Sequence, residues 1–371
     1  MSFVPESAHL LPMDFLLDFA SDNASGASRK VLEALVAANE GSFPAYGGDP
    51  LTLAAEQRLA EVFEHDCAVF LVATGTASNA LALSALTPSF GAIFCHAHAH
   101  VMDDECGAPE FFSAGAKLVG MPGVAGKIAP ADLQRALAAY PRGLVKQVQP
   151  AALSLAQATE CGTIYSCAEI AELADLAHAA GVSVHLDGAR FANALVALNC
   201  SPADMTWRSG VDVLSLGASK NGALACEAVV FFDKAKAEDF AYRRKRGGHT
   251  LSKGRFLAAQ MLAWLDDGHW LQLARHSNAC AQRLAMALGR IKGVRIAWPV
   301  EANELFVVMP RAVDIELKAA GARYYAWSAE RLAPPERPGN NDVLVRLVTS
   351  FNSRDEDIDR FAAIVAQASV I

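Results

Sequence analysis

His185-Leu186-Asp187-Gly188-Ala189-Arg190 and Leu216-Gly217-Ala218-Ser219-Lys220-Asn221-Gly222 decide how this chain is read. The first completes the apolar run Gly181-Val182-Ser183-Val184-His185-Leu186, and the second completes Val211-Asp212-Val213-Leu214-Ser215-Leu216. Short aliphatic runs of this kind, closed by small residues, read as buried strands. An aspartate therefore ends one strand, and a lysine follows the end of another thirty-three residues later. A random lysine is most often a surface residue. Here Gly217, Ala218, Ser219 and Gly222 around Lys220 favour a crowded site. The pair fits an enzyme that holds pyridoxal 5′-phosphate (PLP). The lysine would bond the cofactor aldehyde, and the aspartate would keep the pyridine nitrogen protonated so that the ring can accept electrons.

Working outward, strand and helix patterns alternate. The strand Ala68-Val69-Phe70-Leu71-Val72 leads through Thr74-Gly75-Thr76-Ala77-Ser78-Asn79 into a helix reaching about Leu86. Gly75, Thr76 and Ala77 could offer N–H groups and a hydroxyl to an anion at that helix start. Alone, the segment reads first as an ordinary turn with a helix cap; the Asp187 and Lys220 motifs downstream favour the anion site. Ala92-Ile93-Phe94-Cys95, 151–156, 211–216 and 227–232 continue as strands, with helices at 129–140 and 168–180. This order predicts an α/β fold with a mostly parallel sheet. Helical periodicity also covers 28–40, 51–64 and 252–292. Strands at 294–296, 305–309 and 343–348 with a closing helix at 355–368 suit a smaller α+β unit. The organisation expected is an irregular N-terminal arm over 1–30, a large cofactor-binding domain over 31–250 and a small C-terminal domain over 251–371.

Composition narrows the function. With 371 residues, two domains are the default, and 53% hydrophobic against 19% charged residues suits a large core. A net charge of −8 argues against nucleic acid or an anionic membrane as partner, and Arg243-Arg244-Lys245-Arg246 is too short to reverse that. The eight cysteines form no C-x-x-C pair, which fits reduced thiols in a cytoplasmic protein rather than zinc or redox motifs. No signal-peptide pattern and no apolar run of roughly 18 residues is present. No G-x-G-x-x-G follows a strand, so the dinucleotide fingerprint is missing.

His96, His98 and His100 would share one face of an extended segment, which could suggest metal, yet no carboxylate or cysteine set completes the site. The stronger role for one of them is an imidazole stacked on a cofactor ring and able to relay a proton. Arg190 could serve the cofactor's phenolic oxygen or its phosphate, or form a structural salt bridge. Arg346 lies inside the apolar strand Val345-Arg346-Leu347-Val348. A buried charge needs a partner: a substrate carboxylate or an internal acid would serve.

In this order the motifs resemble the threonine aldolase group of the aromatic amino acid β-eliminating lyase/threonine aldolase family, closest to its bacterial low-specificity and phenylserine-cleaving branch. The resemblance spans nearly the whole chain. It rests most specifically on Asp104-Glu105-Cys106-Gly107-Ala108-Pro109-Glu110-Phe111-Phe112 and Arg243-Arg244-Lys245-Arg246-Gly247-Gly248-His249. It implies the aspartate aminotransferase-like fold (fold type I), with Lys220 as the Schiff-base lysine, Asp187 as the pyridine-nitrogen partner and Arg190 as a cofactor contact. It further implies Gly75 and Thr76 in the phosphate turn, His100 on the ring, and Ser21 and Arg346 on the substrate carboxylate. Lys245 matches a lysine near the active site, and Tyr46 a tyrosine near a neighbouring subunit's site. Gln157 stands where many members carry a histidine proposed to contact the substrate hydroxyl; glutamine can hydrogen-bond but cannot act as base. The expected activity is cleavage of a small L-β-hydroxy-α-amino acid by a homodimer or homotetramer, without a metal. The alternative is another PLP reaction, β-elimination or racemisation.

Overall fold

The computed structural model describes residues 17–369, so the first sixteen residues of the expected N-terminal arm lie outside the described part. The larger sheet has seven strands, in the order Ala68–Val72, Glu227–Phe231, Val213–Gly217, Ser183–Gly188, Gln149–Ala156, Gly91–His96 and Lys117–Met121. Glu227–Phe231 runs antiparallel to both of its neighbours, and every other pairing is parallel. The central strands are buried along their length because both faces are covered. Val213, Val229 and Phe231 pack into one apolar cluster, and Leu214, Leu216, Ala228 and Val230 into another. Alternate residues of a strand point to opposite faces, so two-sided burial produces the continuous apolar runs seen in the sequence.

The smaller sheet is antiparallel and orders Tyr325–Ala326, Asp342–Val348, Glu304–Pro310 and Arg295–Ile296. Its own core gathers Leu305, Val307, Val345 and Leu347 with Leu284, Ile358 and Phe361 from the helices His269–Leu288 and Asp355–Ala368. Leu17 and Phe19 join this core, and Leu17–Asp18 pairs in parallel with Ala322–Arg323. The Phe19 carbonyl accepts the Val348 N–H at 2.9 Å. The chain entering at Leu17 is thus tied to the C-terminal sheet, which delivers Ser21 and Asp22 to the space between the sheets.

The helical stretch expected over 252–292 is two helices, Arg255–Leu265 and His269–Leu288. Asp267 at φ 53° and Gly268 at φ 65° break it, because left-handed backbone cannot continue an α-helix. Helices Phe191–Leu198 and Arg311–Ala319 and the strand Lys117–Met121 are additional to the sequence reading. Lys117–Met121 borders the sheet edge and is only partly buried, so its apolar signal is weak.

Candidate active site

Parallel strands leave a crevice beyond their C-terminal ends. There a cavity of about 700 Å³ opens. Asp187 and Ser215 are partners in adjacent strands, and Lys220 follows three residues after Gly217 ends the second. The backbones approach closely at this point: a Cβ on Gly217 would lie 2.7 Å from the Ala189 carbonyl oxygen. Asn221 clamps the lysine turn, donating to the Trp270 carbonyl at 2.8 Å and accepting from Trp264 Nε1 at 2.9 Å. Lys220 lines the cavity.

Asp187 is fixed from two sides. Its Oδ1 accepts the Ala189 N–H at 3.0 Å and its Oδ2 accepts from Asn79 Nδ2 at 2.8 Å. Asn79 Nδ2 also donates to Glu105 Oε1 at 2.8 Å, and that oxygen lies 2.9 Å from His100 Nδ1. The Glu105 hydrogen bond raises the His100 pKa against the opposing effect of burial. Burial raises the Glu105 carboxyl. Behind Asp187, His185 is fully buried between the hydroxyls of Ser154 and Ser215, each at 2.9 Å, and burial pushes it down to about 4.

The helix Gly75–Leu86 points its N-terminus into the cavity, with Thr74, Gly75, Thr76 and Ser78 on the lining. Thr74 caps the helix, its Oγ1 accepting the Ala77 N–H at 3.2 Å. Ala77 is therefore buried with its N–H engaged and is not on the lining, unlike the sequence expectation. Ser78 takes that place, and its buried Oγ has no hydrogen-bond partner.

The opposite wall comes from distant segments. Arg190 makes a two-pronged contact with Asp22, Nε to Oδ2 at 2.8 Å and Nη2 to Oδ1 at 3.1 Å. Its Nη1 lies 3.1 Å from Glu304 Oε2. Burial opposes charge on Asp22, yet Arg190 and Lys220 hold its carboxyl below the usual range. Arg346 enters from the strand Asp342–Val348. Its guanidinium lies 3.8 Å from Glu304 and stacks at 4.8 Å from the Trp327 ring, leaving a buried Nε without a partner. Burial lowers its pKa, with Glu304 working against that. Ser21 lines the cavity beside it and caps the turn Asp22–Ala24.

The structure does not bring every expected residue to this cavity. Gln157 is fully buried and turned inward: Nε2 donates to the Tyr165 carbonyl at 2.7 Å and Oε1 accepts the Tyr165 N–H at 2.9 Å. An amide satisfied on both ends has no reason to leave the core, so Gln157 stays off the cavity lining. Glu160, three residues later, lines the cavity instead. Tyr46 and Lys245 also lie off this lining; the Lys245 ammonium sits 4.6 Å over the Tyr46 ring, and both side chains are exposed. The three histidines diverge, with His96 ending a strand, His98 in a turn and His100 opening a helix. Among the described residues no group of three or more His, Cys, Asp or Glu gathers as metal ligands. Asp22, Asn79, Glu105, Glu160, Glu304 and Trp327 are the lining or supporting groups that sequence reasoning passed over. For Glu304 the signal was present: like Arg346, it is a charge in an apolar strand run.

The comparisons agree with one another. A family model described as beta-eliminating lyase matches residues 18–312. A low specificity L-threonine aldolase of Pseudomonas aeruginosa is 43% identical over 317 residues, covering 85% of this chain and 91% of that protein. Its counterpart from a Pseudomonas sp. is 42% identical over 309 residues, covering 83% and 89%. Among solved structures, a threonine aldolase of Leishmania major matches with a TM-score of 0.88 at 26% identity, covering 95% of this chain and 99% of that one.

Proposed function

The chain belongs to the beta-eliminating lyase family, and on that footing we propose that it is a PLP-dependent carbon–carbon lyase. It cleaves L-threonine, L-allo-threonine or a related L-β-hydroxy-α-amino acid such as phenylserine to glycine and an aldehyde. The observation that carries this reading is that Lys220, Asp187 and Arg346 border one cavity. The low specificity L-threonine aldolases at 42% and 43% identity support the substrate class.

The donor set fits PLP. Lys220 lies at the lining without an ion-pair partner among the described residues. The unpartnered Ser78 hydroxyl and the helix start at Thr74, Gly75 and Thr76 suit a phosphate. Asp187 suits a protonated ring nitrogen, Arg190 a polar edge of the cofactor, and His100 the face of its ring. Bound there, PLP supplies an aldehyde for the lysine and a ring that takes up the electron pair of the bond being broken. Asp187, held by Ala189 and Asn79, would face the ring nitrogen of the bound cofactor. Arg346 and Ser21 grip the substrate carboxylate and so select which bond at Cα is presented; a guanidinium suits this because it binds a carboxylate with two parallel hydrogen bonds. The wall carrying His100 receives the substrate hydroxyl, whose proton must leave as the aldehyde forms.

Tyr46 acts on the site of a neighbouring subunit in a homodimer or homotetramer, which accords with its lying off the lining of its own cavity. Free thiols at all eight cysteines suit a cytoplasmic setting. Among the described residues no helix is long and apolar enough to cross a membrane. The test is aldehyde release from L-threonine, L-allo-threonine and L-threo-phenylserine with added PLP, and with D-threonine as control. Aldehyde and glycine in equal amounts from the L-substrates are expected. Release from none of them, by protein that shows cofactor absorbance, would sink the reading.

A further inference from the structure

Two cavities meet at one side chain. Glu160 borders the main cavity and also a second, of about 270 Å³, lined by His96, His98, Gly123, Cys161 and Arg331. The preceding residue is held in place: Thr159 Oγ1 donates to the Ala125 carbonyl at 3.1 Å and lies 2.8 Å from Thr163 Oγ1. Glu160 Oε1 accepts the His100 backbone N–H at 2.8 Å. Its Oε2 is shielded from solvent and has no hydrogen-bond partner. A buried carboxylate oxygen with open lone pairs requires a reason. Glu105 Oε2 is likewise buried without a hydrogen-bond partner, but Glu105 lines only the main cavity, and two other neighbours are engaged elsewhere. Gln157 is turned into the core, and His100 is tied through Nδ1 to Glu105, which favours its protonated form.

We propose that Glu160 takes the proton of the substrate's β-hydroxyl, an assignment that rests on the aldolase reading above. The hydroxyl O–H bond breaks and an O–H bond forms on Glu160 Oε2. The oxygen's electron pair closes the aldehyde C=O as the Cα–Cβ bond breaks, and bound PLP would supply the sink for the pair from that bond. A proton later returns to Cα, so cleavage consumes none overall; Glu160 discharges its own through the smaller cavity. Burial pushes the Glu160 carboxyl up to about 7, with the charge of Asp187 adding to it and the His100 N–H opposing it. A base works best when its pKa lies near the working pH. The titratable and charged groups around Glu160 are His100, Asp187 and Arg190 toward the main cavity, and Cys95, Cys161 and Tyr165 beside its backbone. Across the smaller cavity they are His96, His98, Glu330 and Arg331.

The test compares wild type, Glu160→Gln and Glu160→Asp as PLP-loaded enzymes in two assays, aldehyde release from L-threonine and exchange of the glycine Cα proton in D₂O. Glycine has no hydroxyl, so its exchange needs the cofactor and Lys220 but not the proposed base. With Glu160→Gln, kcat for cleavage should fall on the order of 10²–10⁴-fold while glycine exchange and melting temperature stay near wild type. The fall in kcat/KM below about pH 7 should disappear from the residual activity, and Glu160→Asp should recover part of the rate. Unchanged cleavage in Glu160→Gln overturns the assignment, and so does an equal loss of both reactions, which would mark a structural role. Wild-type protein that exchanges glycine yet cleaves no β-hydroxy amino acid would remove the aldolase reading and this assignment together.

Discussion

Asp187 and Lys220 reach the cavity from the ends of adjacent parallel strands, each set by backbone pairing and by burial on both faces. Asp22, Glu304 and Arg346 gather around Arg190, three residues beyond Asp187, from segments that meet only when the chain is folded; the Asn303–Asp22 hydrogen bond, at 3.0 Å, closes a separation of 281 residues. The first wall is rigid because a central sheet has few alternative packings. The second is a charge network between two sheets, in which each ion depends on its neighbours for neutralisation. The sheet wall thus carries the groups that must not move, and the ionic wall carries those that meet a charged substrate.

This contrast can be broken at several points. Lys220→Ala should abolish aldehyde release, by on the order of 10⁴-fold or more, while leaving the melting temperature close to wild type; retained turnover would remove the lysine from the mechanism. Asp22→Ala should act in the opposite way, on stability first. It strands Arg190 in a buried position and should cost about 3 kcal/mol by chemical denaturation; a cost near zero would show that Glu304 alone suffices to neutralise the arginine.

On the sheet wall, His185 provides a pH test. Its folded pKa is lowered to about 4 against an ordinary 6.5, so the unfolded chain takes up the proton first as pH falls. Stability from this group is intact above about pH 6.5, declines by about 1.4 kcal/mol per pH unit toward pH 4 and declines no further below it. His185→Gln should flatten that part of the curve relative to wild type; parallel curves would mean the imidazole is already charged in the fold. On the ionic wall, Arg346→Lys should raise KM for L-threonine about tenfold with a smaller change in kcat, because a lysine cannot make the paired hydrogen bonds of a guanidinium. Equal KM values would detach Arg346 from the substrate carboxylate. The smallest intrinsic effect belongs to Tyr46→Leu, which removes a partly exposed cation–π contact of about 0.5–1 kcal/mol. Mixing inactive Lys220→Ala with Tyr46→Leu protein tests whether sites are shared: activity above that of either parent is expected, and none would place Tyr46 outside a neighbour's site.

How much was legible beforehand follows the same division. The strands ending at Asp187 and before Lys220 were readable because two-sided burial demands uninterrupted apolar runs. The α/β class followed from their alternation with helices, and the fold type I architecture from the family resemblance that the motifs carry. Arg346 was readable as a charge out of place in such a run. Glu160 was not, since a glutamate in Gln157-Ala158-Thr159-Glu160 is unremarkable until the chain around it excludes water. Gln157 was placed at the substrate by its match to a family histidine, and only the Tyr165 backbone, eight residues away, shows that both ends of its amide are used in the core.

The sequence by itself therefore determined what local periodicity and covalent order can encode, the sheet strands with the lysine and aspartate at their ends, and its motifs carried the resemblance to the family. The tertiary structure decided which polar groups face the cavity and in what ionic state, such as the depressed Asp22, the raised Glu160 and the neutral His185. The physical reason is that a residue's identity fixes its donors and acceptors, whereas its pKa and its free lone pairs depend on desolvation and on neighbours that only folding assembles.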